Sequence, residues 1–84
     1  MSIRVVFFAS LREDLQCDQV DVELPAVSRV SGLIDQLAAA NGDLWRVRLT
    51  EENIKVAINQ SLVTGDDQIS DGDEIAFFPP VTGG

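Results

Sequence analysis

The sequence predicts an α+β fold: a mixed four- to five-stranded sheet with one main helix packed on one face and an extended C-terminal tail. Three observations predict it. Of 84 residues, 16 are Val or Ile (ten and six), a usage that favours strands. One stretch, Val30 to Ala38, carries its apolar residues at helical spacing, whereas the other apolar stretches are short. The order of these stretches is strand, strand, helix, strand, short strand, strand.

Ile3–Ala9 reads as the first strand, β-branched and aromatic between polar residues. Alternation puts Arg4, Val6 and Phe8 on one face and Ile3, Val5, Phe7 and Ala9 on the other. Ser10–Gln16 has room for one helical turn, with Leu11 and Leu15 on one side. Gln19–Leu24 alternates cleanly: Val20, Val22 and Leu24 point inward, Asp21 and Glu23 outward, giving a strand with one wet face. Pro25 ends it. Val30, Leu33, Ile34, Leu37 and Ala38 then recur at helical spacing opposite Arg29, Asp35 and Gln36. Ser28 is the expected N-cap and Gly42 the expected stop. Gly32 lies inside this helix, where it costs up to ~1 kcal/mol relative to Ala. Leu44–Leu49 mixes Trp45 with Arg46 and Arg48 and follows neither period. Ile54–Ile58 is a strand, Asn59-Gln60 a tight turn and Ser61–Val63 a short strand. Thr64–Gly72, rich in Gly, Asp and Ser, reads as loop. Glu74–Phe78 is the final strand, ended by Pro79-Pro80 because neither proline can donate to a ladder. Two strands, a helix and then more strands is the order of the β-grasp fold. The expected division is a β-grasp domain over 1–80 and a flexible Val-Thr-Gly-Gly tail over 81–84.

Charge narrows the function. Fourteen acids against six bases give a net charge of −8. Nucleic acid and anionic membrane are excluded as partners, because both require a cationic footprint. A basic protein surface is the better match. Histidine and tyrosine are absent, which removes the commonest general base and the phenolic acid. The one cysteine, Cys17, allows neither a disulfide framework nor a Cys-ligated metal site. A single free thiol fits a reducing compartment. No His, Lys or second Cys stands near it in sequence to activate it, so it reads as a loop residue without a role. The acids Asp66, Asp67, Asp71, Asp73 and Glu74 lack EF-hand spacing and read as a solvated loop; no metal is expected. The apolar runs Val5–Ala9 and Ile75–Phe78 fall far short of the ~20 residues that span a bilayer. No signal peptide is visible, so the expected location is cytoplasmic.

The most informative segment is the last: Asp71-Gly72-Asp73-Glu74-Ile75-Ala76-Phe77-Phe78-Pro79-Pro80-Val81-Thr82-Gly83-Gly84. It reads as a strand, a stiff hinge and an end almost without side chains. Pro79 and Pro80 hold φ near −65° and bias the chain to extended conformations. Beyond them, Val81 to Gly84 reach roughly 13–14 Å. Gly83 and Gly84 lack Cβ, so a terminal carboxylate on Gly84 can enter a channel too narrow for any other residue. Parity sets Phe8 with Arg4 and Phe78 with Glu74, on the face opposite Phe7, Val5, Phe77 and Ile75. Two exposed Phe on adjacent strands form an apolar patch of the kind that marks a binding surface.

This tail resembles the C-terminus of ubiquitin-like sulfur carriers, specifically the small, sulfur-carrier subunits of molybdopterin synthase (the MoaD family). Val5-Phe7-Phe8-Ala9 followed by Leu11-Arg12-Glu13 is similar to that family's opening, and Val56-Ala57-Ile58-Asn59-Gln60 to its central strand and turn. The helix start departs from the family's usual Thr-Val. The resemblance implies a carrier rather than a stand-alone catalyst, a non-catalytic sulfur-donating subunit active only with the large subunit, in a heterotetramer. An ATP-dependent adenylyltransferase, similar to ubiquitin-activating enzymes, adenylates Gly84. A sulfur donor protein then converts the acyl-adenylate to a thiocarboxylate. The tail, with Gly83, Thr82, Val81, Pro80 and Pro79 recognised along it, inserts into the large subunit. There the sulfur passes to cyclic pyranopterin monophosphate to build the dithiolene of molybdopterin. No cofactor is bound; ATP is consumed by the activating enzyme. The resemblance also implies that a residue at Leu62 joins Phe8 and Phe78 in docking the partner, although strand pattern leaves the facing of Leu62 open. Two alternatives stay open: a sulfur carrier for thiamine or another thio-product, and a ubiquitin-like protein modifier.

Overall fold

The computed structural model describes residues 1–80. In chain order its elements are β1 (Ser2–Phe7), α1 (Ala9–Leu15), β2 (Gln19–Glu23), β3 (Ser28–Arg29), α2 (Val30–Asn41), α3 (Asp43–Leu49), β4 (Lys55–Ile58), β5 (Ser61–Val63), β6 (Gln68–Ile69) and β7 (Glu74–Phe78). β1 pairs antiparallel with β2, Val5 opposite Val20. On its other side it runs parallel to β7, Phe7 opposite Phe77. β4 adds antiparallel to β7 and β5 antiparallel to β4, so the main sheet has the order β2-β1-β7-β4-β5. A parallel central pair needs a long crossover, and α2 and α3 lie in the chain that makes it.

The core sits between one sheet face and the helices. Ile3, Val5 and Phe7 of β1 and Ile75 and Phe77 of β7 are buried against Leu33 and Leu37 of α2, Leu11 of α1 and Trp45 of α3. Phe7 is the hub: its ring meets Trp45 edge-on at 5.3 Å and stacks on Phe77 at 5.9 Å. Both geometries suit the ring quadrupoles.

Three sequence expectations are corrected, and one stretch without a readable period is assigned. Ala9 does not extend the first strand; it opens α1 and is exposed. Leu44–Leu49 belongs to a helix, because Trp45 and Leu49, four residues apart, bury one side of α3. Ser28 is not the N-cap of α2. It lies in β3, and its hydroxyl donates to the Pro25 carbonyl at 3.0 Å. The free donors at the start of α2 are met from 35 residues away: the Asp66 carboxylate accepts the Ser31 N–H and the Ser31 hydroxyl, each at 2.7 Å. Finally, Thr64–Gly72 is not all loop. Gln68–Ile69 pairs with β3 in a second, two-stranded sheet and buries Ile69. Gly42 does end α2, at φ 107°.

Candidate functional site

The second face of the main sheet carries no helix. Register places Arg4, Val6, Phe78, Ala76, Glu74, Lys55, Ala57 and Leu62 on it: Val6 lies opposite Ala76, Ala76 opposite Ala57, and Ala57 opposite Leu62. Phe8 and Leu62 expose 50% and 60% of their surfaces, and Phe78 is half-buried. Leu62, whose facing the strand pattern left open, therefore stands on the same face as Phe78, at the β5 edge. The small residues Ala57 and Ala76 leave an open groove of about 390 Å³, bordered by Phe8, Ala9, Gln60, Glu74, Phe78 and Pro79. A wider concavity of about 620 Å³ lies between Leu24–Arg29 and α2; none of the residues singled out for the tail or for docking lines it.

Of the tail residues, Pro79 borders the groove and Pro80 is exposed. Val81, Thr82, Gly83 and Gly84 lie outside the described residues. The chain thus leaves the sheet beside its apolar open face.

The start of β7 is pinned by the Asp71-Gly72-Asp73-Glu74 motif. The Asp73 carboxylate accepts Nδ2 of Asn59 and the N–H of Ser70, both at 2.8 Å. The Asn59 side-chain oxygen accepts the Glu74 N–H at 3.0 Å, while the Asn59 N–H donates to the Glu74 carbonyl at 2.8 Å. The Asp71 carboxylate accepts the Ser2 N–H at 2.7 Å, and the Gly72 N–H donates to the Ser2 carbonyl at 2.8 Å. Gly72 manages this at φ 83°, a conformation that favours glycine. Sequence reasoning used this motif only as a signature. Its physical role is to lock the end of β7 from which Phe78 and the tail are counted. Asp73, immediately before the strand, was the available signal, but its partner Asn59 is identified only by the fold.

The open face also carries charge: Arg4, Asp21, Glu74 and Lys55 stand around its apolar residues. Arg4 approaches Asp21 at 3.6 Å with both side chains exposed, a contact worth little in water. Cys17 is half-buried, and burial, reinforced by neighbouring Asp18, pushes its thiol up from the usual range. It is thereby a poorer nucleophile at neutral pH. Among the described residues no group of His, Cys, Asp and Glu could hold a metal ion, and no helix is long and apolar enough to cross a membrane.

A five-stranded mixed sheet with helices on one face and the C-terminal strand at its centre defines a ubiquitin-like β-grasp domain. The chain belongs to the ThiS family, whose model matches residues 5–84. It is 43% identical over 84 residues to the molybdopterin synthase sulfur carrier subunit of Escherichia coli, covering 98% of this chain and 99% of that one. Among solved structures it resembles SAMP1, the small archaeal modifier protein 1 of Haloferax volcanii, with a TM-score of 0.84 and 28% identity over the whole of both chains. It also resembles a putative molybdopterin converting factor, subunit 1, from Pyrococcus furiosus, with a TM-score of 0.76 and 27% identity over 96% of this chain and 99% of that one.

Proposed function

We propose that the chain is the cytoplasmic sulfur-carrier subunit of molybdopterin synthase and that Gly84 is its working group. The observation that carries the reading is Phe77-Phe78-Pro79-Pro80-Val81-Thr82-Gly83-Gly84 following a strand whose open face is apolar. A carboxylate is a poor acyl donor until one oxygen becomes a good leaving group. An activating enzyme supplies this by joining the Gly84 carboxylate to the α-phosphate of ATP, with release of pyrophosphate. A sulfur donor displaces AMP and leaves a thiocarboxylate, stable enough to carry and nucleophilic enough to deliver sulfur to cyclic pyranopterin monophosphate. Acid–base groups come from the partners, since this chain has no histidine. The 1–80 domain presents the tail; Pro79 and Pro80 stiffen its root, and Gly83 and Gly84 allow passage through a narrow channel.

In this reading Phe8, Leu62 and Phe78 dock the large subunit and the activating enzyme in turn. One face serving both makes the two complexes mutually exclusive. The experiment is the intact mass of the chain isolated from its native cell: a fraction should carry one sulfur in place of one oxygen at Gly84. A variant lacking Gly84 moves the carboxyl back by ~3.3–3.6 Å and should fold yet form no molybdopterin with the large subunit. A truncated chain that still supports the product overturns the reading.

A second reading, a protein modifier, is favoured by the likeness to small archaeal modifier protein 1, because the activated terminus is the same chemical object. Incubation with ATP, an activating enzyme and lysate gives ladders of conjugates for a modifier and none for a carrier.

A further inference from the structure

Among the described residues four non-glycine residues have positive φ: Ala9 (55°), Gln16 (54°), Asn59 (51°) and Gln60 (70°). Two have a local reason. Gln16 is the C-cap of α1, where a left-handed residue commonly ends a helix, and its N–H reaches the carbonyls of Arg12 and Glu13. Asn59 is a residue type that tolerates this conformation, and its side chain is tied to Asp73 and Glu74. Ala9, the first residue of α1, and Gln60 have no such reason, and of these two only Gln60 carries a polar side chain. It is the second residue of a two-residue hairpin loop between Ile58 and Ser61, and positive φ at both loop positions is the mark of a type I′ turn, whose second position favours glycine. None of the described residues hydrogen-bonds its side-chain amide. That side chain instead borders the open-face groove beside Ala57, Ala76 and Phe78.

The turn that joins β4 to β5 uses the left-handed backbone but not the glutamine, and a strained residue kept where glycine would fit points to a use for its side chain. We propose that Gln60 is a specificity-determining contact of the docking face, its amide hydrogen-bonding a peptide group of the large subunit. The proposal rests on the carrier reading above. The partner group is a neutral peptide unit because the amide offers one donor side and one acceptor side, beside a floor of Ala57 and Ala76 with Glu74 on its border. A peptide N–H and carbonyl match both. Glycine at this position would relax the backbone and lose the contact; the chain keeps the contact.

The test titrates purified large subunit of molybdopterin synthase with the full chain, Gln60→Gly and Gln60→Met, alongside thermal melts and a salt series. Gln60→Gly removes strain and amide together, so its Tm should rise by a few degrees while Kd rises about 5–10-fold. Gln60→Met keeps bulk and strain but loses the amide; its Tm should stay near wild type and its Kd should rise about 5-fold. A neutral hydrogen bond makes both losses insensitive to salt. Wild-type affinity in either variant overturns the proposal, as does a lowered Tm for Gln60→Gly or a loss that fades at high salt. A wild-type chain that neither carries sulfur in the cell nor binds the large subunit defeats the carrier reading, and this proposal with it. A wild-type chain that binds while both variants bind equally well defeats this proposal alone.

Discussion

The two faces of the main sheet are made from neighbouring residues of the same strands. On one, Phe7 and Phe77 are fully buried, stacked on each other and closed over by Trp45. On the other, Phe8 and Phe78 flank an open groove floored by alanines. Residue type is the same; only the parity of position differs. The core face is filled by large side chains that interlock. The open face alternates large rims with small floors, which leaves room for something to sit down. A phenylalanine in this chain is therefore assigned to stability or to recognition by a single step along the strand.

The pair at the end of β7 breaks or sharpens that contrast most strongly. Phe77→Ala removes a ring from the center of the core and should cost ~3–5 kcal/mol. Its Tm should fall by well over ~10 °C in a domain of this size. Phe78→Ala should leave the melt close to wild type but weaken binding to the large subunit by more than ~1 kcal/mol if it is an anchor. Thermal denaturation and titration on the two variants decide. The reverse result would mean that β7 is displaced by one residue, which turns every side chain to the other face.

The contrast was readable in the sequence wherever period two runs long enough. Val5-Phe7 and Ile75-Phe77 separate from Val6-Phe8 and Ala76-Phe78 by alternation alone. What was not readable depends on distance or brevity. Asp66 caps α2 across 35 residues, and no local pattern pairs it with Ser31; Ser28, the better local candidate, is drawn into β3 instead. The strand at Gln68–Ile69 has two residues, too few to show a period. In α3 only Trp45 and Leu49 are buried while Leu44 and Val47 are exposed, so its apolar residues spread around the helix and blur the signal. Leu62 stands on the open face because the two-residue turn at Asn59-Gln60 fixes the register of β5 on β4. Turn geometry, not the three residues of the strand, decides its side.

The clasp on β7 offers the next largest effect. Asp73→Ala removes two hydrogen bonds, to Asn59 and Ser70, and should cost ~1–2 kcal/mol. Combined with Asn59→Ala, the double variant should lose less than the sum, by ~0.5–1.5 kcal/mol, because the two share one network. Chemical denaturation of the four proteins measures it. Strict additivity would show that the two side chains act independently and that the motif does not lock β7 as a unit.

The capping of α2 adds a pH-dependent contribution. Hydrogen bonds from the Ser31 N–H and then its hydroxyl, with Arg29 nearby, hold the Asp66 carboxyl below its ordinary range. A carboxylate whose folded pKa is depressed adds stability at neutral pH and loses it as pH falls through the folded value. Asp66→Asn should therefore melt lower than wild type at neutral pH. The gap should close as pH falls through the ordinary carboxylate range and below it. A gap that stays constant across that window would assign the cap to geometry alone, without its charge.

The smallest effect bears on the closed face from behind. Gly32 is the third residue of α2, and a Cβ built there meets nothing within 4 Å. Glycine in a helix is less favourable than alanine by up to ~1 kcal/mol, through both helix propensity and the wider freedom of the unfolded chain. Its place in the first turn puts the gain of Gly32→Ala in the lower half of that range, a Tm increase of about 2–4 °C. The residue borders the wide concavity between α2 and Leu24–Arg29, away from the groove with Phe8 and Phe78. Binding to the large subunit should therefore be unchanged. A stabilised variant that binds normally places the helix side of the molecule in the scaffold. A stabilised variant that binds poorly would put that concavity in contact with the partner, and recognition would then involve the helix side as well as the open face.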